Sequence, residues 1–511
     1  MVIAQQGRCP NSANCPISRS GEVLTIPQGA DFHCPVCGHE LVKVKAEAIK
    51  WPKWPRRAAF VAAAVLLLLL SGFAISRNWT FLRHASAADS IGARHTILRL
   101  SGSNTIGESL MPALAEAFLT SRGAKNVHTV AGEKPQETIV LGILPGDSFP
   151  SSIRIAAHGS ATAFTALADG SCDIGMSSRR IKPEEASKLL SQGNMFAPAN
   201  EHVLGLDGIA VIVNASNPVS ALSKDEVMRI FTGESATWPK GGSSQGAVNI
   251  YARDDKSGTY DTFKSLVLAG KPMAPGTRRS EDSNELSDAV ARDPNAIGFI
   301  ALPFVHNAKP VAVSEKGTGA LLPTKLTVAT EDYSLSRRLY LYTPGTPANN
   351  LTGPFVEFAL SERGQEVVAA NGFVEQNVAL VSQGVSDAAP DEYRQLTRNA
   401  ERLSLDFRFQ TGQSEPDNKA RIDLDRVVSL IADRRSVGGK ILLFGFADSV
   451  GTPAANKALS LGRAKIIEGQ FIQRGLKPEE VRGFGSDLPV ASNDSVEGRE
   501  KNRRVEIWIR N

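Results

Sequence analysis

Residues 248–267 read VNIYARDDKSGTYDTFKSLV, which is typical of a short strand, a loop rich in Ser, Gly and Thr, and a helix. The loop places Ser257, Gly258 and Thr259 at the first turn of that helix, where backbone N–H groups lack helical partners. Because this end of a helix is positive, it can hold an anion, and Arg253 can add a bidentate contact. One such loop is weak evidence, since Ser or Thr at a helix start is usually an ordinary N-cap.

The same order of strand, loop and helix occurs twice more, closer to the N-terminus. A strand at residues 97–100 runs into SGSNT at 101–105, and a strand at 153–155 runs into HGSAT at 158–162. If the three loops meet, they surround one oxyanion with hydrogen-bond donors. The alternation of strands and helices predicts an α/β fold over residues 96–384.

These loops resemble those of the phosphate-binding proteins that serve ABC transporters, over roughly residues 96–384. The resemblance implies a two-lobed, PstS-like α/β periplasmic-binding-protein fold that closes on phosphate by hinge motion. The segment NAIGF at residues 295–299 is also similar to a late strand of that family. The phosphate-binding residues that the resemblance implies are Thr105, Ile106, Ser160, Arg253, Ser257, Gly258 and Thr259.

One predicted site position departs from the family pattern. The family usually has an Asp after a Gly-x-Ser segment, to accept the proton of hydrogen phosphate, and here Gly-Met-Ser at 175–177 precedes Ser178. A hydroxyl both donates and accepts, so phosphate and sulfate both stay open as ligands at this point. Arg179 is a candidate for additional affinity. His158 either touches the anion or packs its own loop, and Cys172 is expected to be a small core residue.

Four of the five cysteines lie close to the N-terminus: Cys9, Cys15, Cys34 and Cys37. Four thiolates suit a tetrahedral zinc ion, and about 50 residues with few apolar side chains rarely fold without a metal or disulfides. We therefore predict a zinc-ribbon-like cytoplasmic segment over residues 1–50, with structural zinc as the cofactor. His33 and His39 are alternative ligands, and two disulfides in an exported segment are the other interpretation.

An uncharged stretch at residues 58–75 is long enough to span a membrane. Its 18 residues reach about 27 Å, close to the ~30 Å hydrocarbon core. Six Lys or Arg residues occur at 43–57, so the positive-inside rule places the N-terminus in the cytoplasm. We predict a transmembrane helix at 58–76, a tether at 77–95, and a single-pass protein of the bacterial inner membrane with a periplasmic bulk. A cleaved signal peptide is the alternative, because residues 85–87 read ASA.

A second pattern, of α+β type, occupies residues 401–511 after a predicted linker at residues 385–400. Asp448 follows an apolar strand, while Asn456 and Arg463 lie on one face of the next predicted helix. An ordinary salt bridge is one interpretation of the acid and the arginine. A clamp for a zwitterionic ligand, with the acid on the ammonium and the arginine on the carboxylate, is the other.

The sequence around these residues resembles the OmpA C-terminal family, with GFG at 483–485 and GREKNRRVE at 498–506. The resemblance implies an α+β, OmpA-like peptidoglycan-binding domain. It also implies that Asp448 and Arg463 hold the diaminopimelate end of a stem peptide, with Asn456 beside them. Phe-Ala-Asp at 446–448 stands where the family often has His-Thr-Asp, which changes hydrogen bonds of the loop.

Composition limits the function classes. The chain has 511 residues, 42% hydrophobic and 22% charged, with a net charge of +4. All of that charge lies in residues 1–57, so no nucleic-acid partner is expected. The binding-protein domain contains no nucleophile–base motif, so we predict no enzyme but a protein that binds phosphate, or a similar oxyanion, and peptidoglycan.

Two alternatives stay open: a structural tether between wall and membrane, and a membrane-tethered donor to a phosphate ABC permease. A cytoplasmic signalling partner is a further prediction. The predicted architecture is therefore multidomain: a small zinc ribbon, one transmembrane helix, a two-lobed α/β domain and an α+β domain.

Overall fold

The structure is a computed structural model of a chain that divides into two compact units, Met1–Ala87 and Ala88–Asn511. The predicted transmembrane helix at 58–76 and residues 77–94 of the predicted tether lie outside the described residues. The described residues are 5–10, 15, 23–26, 32–34, 37, 39–44, 95–239, 247–255, 257–382, 384–385, 387, 389–409, 415–433 and 439–510.

The predicted location needs correction. Within the described ranges, no helix is both long enough and apolar enough to cross a membrane. The longest helix there, Pro453–Gln473, has 21 residues but carries the charged residues Lys457, Arg463, Lys465 and Glu468. This finding contradicts the prediction of a single-pass inner-membrane protein with a cytoplasmic N-terminus and a periplasmic bulk, and that prediction is withdrawn.

Three short strands form the sheet of the N-terminal unit: β1 (Gln5–Arg8), β2 (Val23–Ile26) and β3 (Val42–Lys43). β1 lies between the other two and pairs antiparallel with both. The buried apolar cluster described beside this sheet consists of cysteines and Leu41, with Leu24 and Phe32 packed against it. So small a cluster gives little hydrophobic stabilisation, which is why a metal would matter to this unit.

The larger unit has a mixed architecture of strands and helices. Its strands are β4 (Thr96–Gly102), β5 (Lys125–Ala131), β6 (Glu137–Ile143), β7 (Ser151–Ala156), β8 (Ile174–Ser177), β9 (Glu201–Val213), β10 (Ala221–Ser223), β11 (Asn249–Arg253), β12 (Arg278–Ser280), β13 (Ala296–Ala301), β14 (Lys309–Pro310), β15 (Ala312–Ser314), β16 (Ser336–Tyr342), β17 (Leu380–Val381), β18 (Ala400–Arg408), β19 (Lys440–Gly445), β20 (Glu480–Gly483) and β21 (Arg504–Arg510). Its helices are α1 (Asn104–Gly107), α2 (Leu110–Ser121), α3 (Ser160–Ala168), α4 (Pro183–Lys188), α5 (Lys224–Phe231), α6 (Gly258–Leu266), α7 (Ser283–Arg292), α8 (Lys325–Ala329), α9 (Thr352–Leu360), α10 (Glu362–Ala370), α11 (Asp391–Thr397), α12 (Asn418–Asp433), α13 (Pro453–Gln473) and α14 (Val496–Asn502).

Two adjacent strands of one large sheet connect two lobes. The sheet has the order β12-β11-β13-β9-β16-β8-β4-β7-β6-β5, with β14 also paired to β9. β9 and β16 pair antiparallel in its middle. We call the strands from β8 to β5, with their helices, the first lobe, and those from β13 to β12, with theirs, the second lobe. Because β4 is parallel to both β7 and β8, the loops that follow these strands open at one edge of the sheet.

Apolar packing on each side of the sheet fixes the bases of these loops. In the second lobe, the ring of Phe263 in α6 stacks on Phe299 in β13 with centroids 3.9 Å apart. In the first lobe, Phe118 of α2 meets Phe355 of α9 edge to face, with centroids 5.1 Å apart. Such pairs contribute about 0.5–1.5 kcal/mol beyond the area they bury. These pairs anchor α6, which starts at one of the polar loops, to β13, and α2 to α9.

The C-terminal part of the chain forms a separate five-stranded sheet, in the order β17-β18-β21-β19-β20. The last strand, β21, has side chains that alternate between the two faces of the sheet. Val505, Ile507 and Ile509 face a core with helices α12 and α13, while Trp508 faces the opposite cluster. This is an α+β domain with helices on both faces of the sheet.

The predicted linker at residues 385–400 differs from the structure. It contains α11, whose Tyr393 ring packs against Phe444, Phe484 and Trp508. The Tyr393 hydroxyl donates to Glu506 Oε2 at 2.7 Å. One aromatic ring with a buried partner is enough to dock a short polar helix, and the segment's polar composition conceals it.

The C-terminal domain contacts the first lobe and the joining strand β16. Arg338 of β16 donates to Asp417 Oδ2 at 2.7 Å. Asn418 Nδ2 donates to the Phe196 carbonyl oxygen of the first lobe at 3.0 Å. Lys501 Nζ donates to two carbonyl oxygens just before β16, at 3.0 and 2.8 Å. The domain therefore rests against the strands that join the lobes.

Candidate functional site

The three predicted loops meet between the two lobes. Thr105 Oγ1 lies 3.2 Å from Thr259 Oγ1, and Ser160 Oγ lies 3.2 Å from Ser178 Oγ. Gly258 completes the contact, because a Cβ there would lie 2.2 Å from Ser178 Oγ and 2.7 Å from Ser160 Oγ. All five residues are buried. We call these four hydroxyl residues together with Gly258 the hydroxyl cluster.

Two further predicted residues lie at the starts of the adjoining helices. Ser257 is the N-cap of α6, and its Oγ accepts hydrogen bonds from the N–H groups of Thr259 at 3.2 Å and Tyr260 at 3.4 Å. The ordinary N-cap interpretation therefore describes the Ser257 side chain. Ile106 lies in α1 with its side chain fully buried in the core, so only its backbone N–H suits an anion.

Arg253 is buried, but its hydrogen bonds lead away from the hydroxyl cluster. Its guanidinium donates to Ser283 Oγ and to the Glu281 carbonyl oxygen, the latter at 2.7 Å. Its Nε is buried and has no hydrogen-bond partner in the described part of the chain. Burial lowers the pKa of Arg253, and Glu108 opposes that shift. The structure thus places Arg253 beside the cluster without a direct bond to its hydroxyls.

Arg337 is a residue that the sequence reasoning missed. From β16 its Nη2 donates to Thr259 Oγ1 at 2.8 Å, to Thr105 Oγ1 at 3.3 Å and to Asp207 Oδ2 at 2.7 Å. Burial raises the pKa of Asp207, and the positive Arg337 opposes that shift. The sequence did contain one signal for it. Asp207 is a single acid within an otherwise apolar strand, and a buried carboxylate needs a cationic partner such as Arg337.

Three other candidate residues have partners of their own. Arg179 donates to both oxygens of Glu185, at 2.8 and 2.6 Å, so it is paired rather than aimed at the cluster. His158 Nε2 lies 3.3 Å from Glu137 Oε1, which fits the packing interpretation. Cys172 is buried, and burial raises the pKa of its thiol to about 12, as expected for an inert core residue.

A cavity connects the hydroxyl cluster with the C-terminal domain. It has a volume of about 1020 Å³ and is lined by Ser178 and Arg337 at the cluster, and by Phe409 and Lys501 of the C-terminal domain. An anion that reaches the cluster by this route passes between the two domains.

The predicted wall-binding residues lie close to a third residue, Arg503. Arg503 Nη1 donates to Asp448 Oδ2 at 2.8 Å, so the acid already has a cationic partner. The guanidinium of Arg463 lies 5.7 Å from the centroid of the Phe409 ring. Burial and Arg503 lower the pKa of Arg463, while Asp448 opposes them. Asp448 and Arg463 are therefore close enough to influence each other electrostatically, and Arg503 acts on both.

Asn456, the third predicted wall-binding residue, is buried near the start of α13. Its Oδ1 would lie 3.4 Å from a Cβ at Gly451, in the loop after Asp448. This position suits an amide that supports the loop carrying the acid.

The N-terminal cysteines form a group with metal-ligand geometry. The Sγ atoms of Cys9, Cys15, Cys34 and Cys37 all lie within 4.8 Å of one another. Cys9 and Cys37 are 3.5 Å apart at Sγ, and Cys15 and Cys34 are 3.8 Å apart. A tetrahedral zinc ion with Zn–S bonds of about 2.3 Å requires sulfur atoms about 3.8 Å apart. The four cysteines can therefore bind a metal.

The alternatives for this segment fit less well. None of the five cysteines forms a disulfide, so the two-disulfide interpretation does not describe this structure. His33 and His39 are exposed and are not part of the four-sulfur group.

Comparison with known proteins places the chain in a class. A sequence model of the PBP superfamily domain matches residues 99–363, slightly more than half of the chain, and the chain belongs to this superfamily. A second model, of the OmpA family, matches residues 408–503. The predicted two-lobed binding-protein domain and the OmpA-like domain are thereby confirmed.

Individual relatives match the binding-protein part. The phosphate-binding protein PstS of Bacillus subtilis (strain 168) is 28% identical over 250 residues, covering 48% of this chain and 79% of the relative. PstS of Pseudomonas aeruginosa PAO1 is 28% identical over 240 residues, covering 44% and 74%. Both relatives are named as phosphate-binding proteins.

Solved structures also align with this part. An ABC-type phosphate transport receptor from Vibrio cholerae is 23% identical with a TM-score of 0.43, covering 54% of this chain and 99% of that chain. A putative phosphate ABC transporter substrate-binding protein from Clostridium perfringens, with bound phosphate, is 27% identical with a TM-score of 0.43, covering 54% and 98%.

Proposed function

We propose that this protein binds phosphate, or a similar tetrahedral oxyanion, without catalysis, and that its OmpA-like domain binds peptidoglycan. The observation that carries the first part is the meeting of hydroxyls from both lobes. Thr105 and Ser160 come from the first lobe and Thr259 from the second, and all three are buried. Buried hydroxyls that converge from two lobes suit a ligand enclosed between them.

The anion would take its hydrogen bonds from the predicted residues in two ways. Thr105, Ser160, Ser178 and Thr259 would donate through their hydroxyls. Ile106 and Gly258 would donate through backbone N–H groups at helix starts, where such groups lack helical partners. Ser257, whose N–H donates to the Asp254 carbonyl oxygen at 3.2 Å, would hold the start of α6 in place. Arg253 would supply positive charge from the side.

The surroundings of the hydroxyls favour binding over catalysis. In the part of the chain that the structure describes, the hydroxyls of the cluster hydrogen bond to one another, to the Ser178 N–H group and to Arg337. No imidazole or carboxylate accepts a proton from them there. A nucleophilic hydroxyl needs such a base within hydrogen-bond reach.

We propose that Asp448 and Arg463 hold the two charged ends of a diaminopimelate stem peptide, with Asn456 supporting the loop. The pairing of Asp448 with Arg503 holds the acid in place. A ligand ammonium can then approach its remaining lone pairs, since a carboxylate accepts about four hydrogen bonds.

We also propose that the cysteine group holds one structural zinc ion. The metal would tie residues 9–37 together where hydrophobic stabilisation is small. We propose further that the zinc-ribbon-like segment, the binding-protein domain and the OmpA-like domain occupy about residues 1–50, 96–384 and 401–511. The OmpA-like domain also includes β17 and α11, which lie before residue 401.

Isothermal titration of the full chain with inorganic phosphate and with sulfate tests the first proposal. Saturable heat with either anion is expected, and silence with both would contradict it. Silence would also favour the alternative of a tether whose middle domain has no anion. Retention of the chain on purified peptidoglycan tests the second proposal independently.

A further inference from the structure

Arg337 reaches the hydroxyl cluster from the strand that joins the lobes. Its Nη2 donates to Thr105 of the first lobe and to Thr259 of the second. Only 3% of its side chain is exposed. A guanidinium at this position contacts both halves of the site at once.

One donor of Arg337 has no acceptor in the part of the chain that the structure describes. Its Nε and Nη2 both donate to Asp207 Oδ2, at 2.9 and 2.7 Å. Its Nη1 is buried and, among the described residues, makes no hydrogen bond. Buried donors are nearly always satisfied, because leaving one unpaired forfeits its solvation. Since Arg337 and Ser178 line the same cavity, an anion there would satisfy Nη1.

The guanidinium and hydroxyl groups at the cluster can all donate. Among the described residues, Arg337 and Arg253 each have a buried N–H without a partner, and the serine and threonine hydroxyls can each donate. Of the nearby carboxylates, Asp207 is bound to Arg337. On the Arg253 side, Glu108 accepts from Ser283 at 3.4 Å, and Asp254 Oδ2 lies 3.9 Å from Arg253 Nη2. Sulfate has four acceptor oxygens and no proton at neutral pH. Hydrogen phosphate has one O–H group that needs an acceptor, and hydroxyl oxygens are the acceptors within the cluster.

We propose that Arg337 is a second anion-binding guanidinium, and that the site therefore accepts a fully ionised tetrahedral dianion such as sulfate about as well as phosphate. This inference rests on the proposed anion-binding function and names its ligand class. Arg253 adds positive charge, and Arg337, whose charge Asp207 balances, offers the anion its Nη1 donor.

Titrations of the full-length wild type and three variants with inorganic phosphate and sulfate test this inference. Arg337→Gln removes the charge, and Arg337→Lys keeps the charge but loses the forked donors. Lys264→Gln is the matched control, because Lys264 lines the same cavity, is exposed and loses the same charge.

The wild type should bind the two anions with affinities within about fivefold of each other, a difference near 1 kcal/mol. Arg337→Gln should weaken both by about tenfold or more, the usual effect of losing a buried charged donor. Lys264→Gln should stay within about twofold of wild type, since an exposed charge contributes little. Thermal melting of each variant shows whether it is folded.

Each contrary result has a distinct meaning. Wild-type affinity in Arg337→Gln would overturn the role of Arg337 while leaving the proposed function intact. Phosphate binding with sulfate rejected by more than about a hundredfold would overturn the ligand class. If Arg337→Gln does not fold, the test uses Arg337→Lys. Unchanged anion affinity in that variant would show that the paired guanidinium donors of Arg337 do not bind the anion. Absence of binding in the wild type would overturn the proposed function itself, and this inference with it.

Discussion

Gly258 in the second lobe packs directly against Ser178 in the first lobe, where a Cβ at position 258 would lie 2.2 Å from Ser178 Oγ. Real Cβ atoms essentially never approach so closely. Neither partner has a long flexible side chain that can move away. The closed arrangement of the two lobes therefore requires glycine at this position.

Gly258→Ala should abolish high-affinity anion binding, because the added methyl group keeps the lobes apart. We expect a loss of at least about a hundredfold in affinity by isothermal titration, equivalent to roughly 3 kcal/mol. Gly353→Ala is the control, since a Cβ at Gly353 meets nothing within 4 Å, and it should bind like wild type. Equal binding by both variants would mean that the lobes do not need this contact.

Ser178→Asp should change the preference between anions. The new carboxylate can accept the proton of hydrogen phosphate but repels a sulfate oxygen that carries no proton. We expect the ratio of phosphate to sulfate affinity to rise by about tenfold or more, measured by competition titration. Ser178→Asn, which has nearly the same shape without the charge, should leave that ratio close to the wild-type value.

Asp448→Asn combined with Arg463→Gln should remove binding to peptidoglycan, since both charged contacts to the stem peptide are lost. The measurement is retention on purified, insoluble peptidoglycan after washing. Arg482→Gln is the control, because Arg482 is exposed and pairs with Glu480 at the surface. Undiminished retention of the double variant would contradict the assignment of these two residues.

Glu331 lies where the C-terminal domain meets β16, and its ionisation should make the stability of the folded protein depend on pH. Burial alone would raise its pKa, but Arg338, Arg408 and Lys419 together lower the pKa from 4.5 to about 2. Because the pKa of Glu331 is lower in the folded state, its ionised carboxylate stabilises the folded state at pH values above 4.5, the pKa in the unfolded state. This stabilisation is lost as the pH falls toward 2. The contribution is about 3 kcal/mol.

Urea unfolding of wild type and Glu331→Gln at pH 5 and at pH 3 measures this contribution. The variant should be less stable than wild type at pH 5, and the gap should narrow at pH 3. Glu357→Gln, a change of an exposed carboxylate, should differ from wild type by less than about 0.5 kcal/mol at both pH values. A gap that stays constant with pH would show that Glu331 does not titrate as described.

Metal analysis of the purified chain should find one zinc ion per molecule. Removal by a chelator should expose the thiols of the N-terminal unit to a thiol reagent, because the metal holds them as thiolates. Cys34→Ser should lose the zinc, whereas Cys172→Ser, in the other unit, should keep it. Wild-type metal content in Cys34→Ser would contradict a four-cysteine site.

Sequence patterns predicted the regular elements of the C-terminal domain closely. The apolar pattern of the sequence predicts a helix at 418–433 and a strand at 440–445, and these match α12 (Asn418–Asp433) and β19 (Lys440–Gly445). Both elements have clear apolar periodicity, which reports the face that is buried. The same method missed α11, since its docking depends on one aromatic ring, Tyr393, in an otherwise polar segment.

The hydroxyl residues of the candidate site could be predicted because each lies in a local strand–loop–helix pattern. Arg337 could not, since its neighbours in the site come from residues more than 70 positions away in the chain. The direction of the Arg253 guanidinium could not be predicted from local sequence either, because hydrogen bonds to Ser283 and Glu281 determine it.

The central claim is that the buried hydroxyls between the lobes bind a tetrahedral oxyanion. Isothermal titration of the full chain with inorganic phosphate, beside the Gly258→Ala variant, tests it most directly. We predict saturable binding of one anion per chain in the wild type and its loss in the variant. Absence of binding in the wild type, with phosphate and with sulfate, would contradict the account.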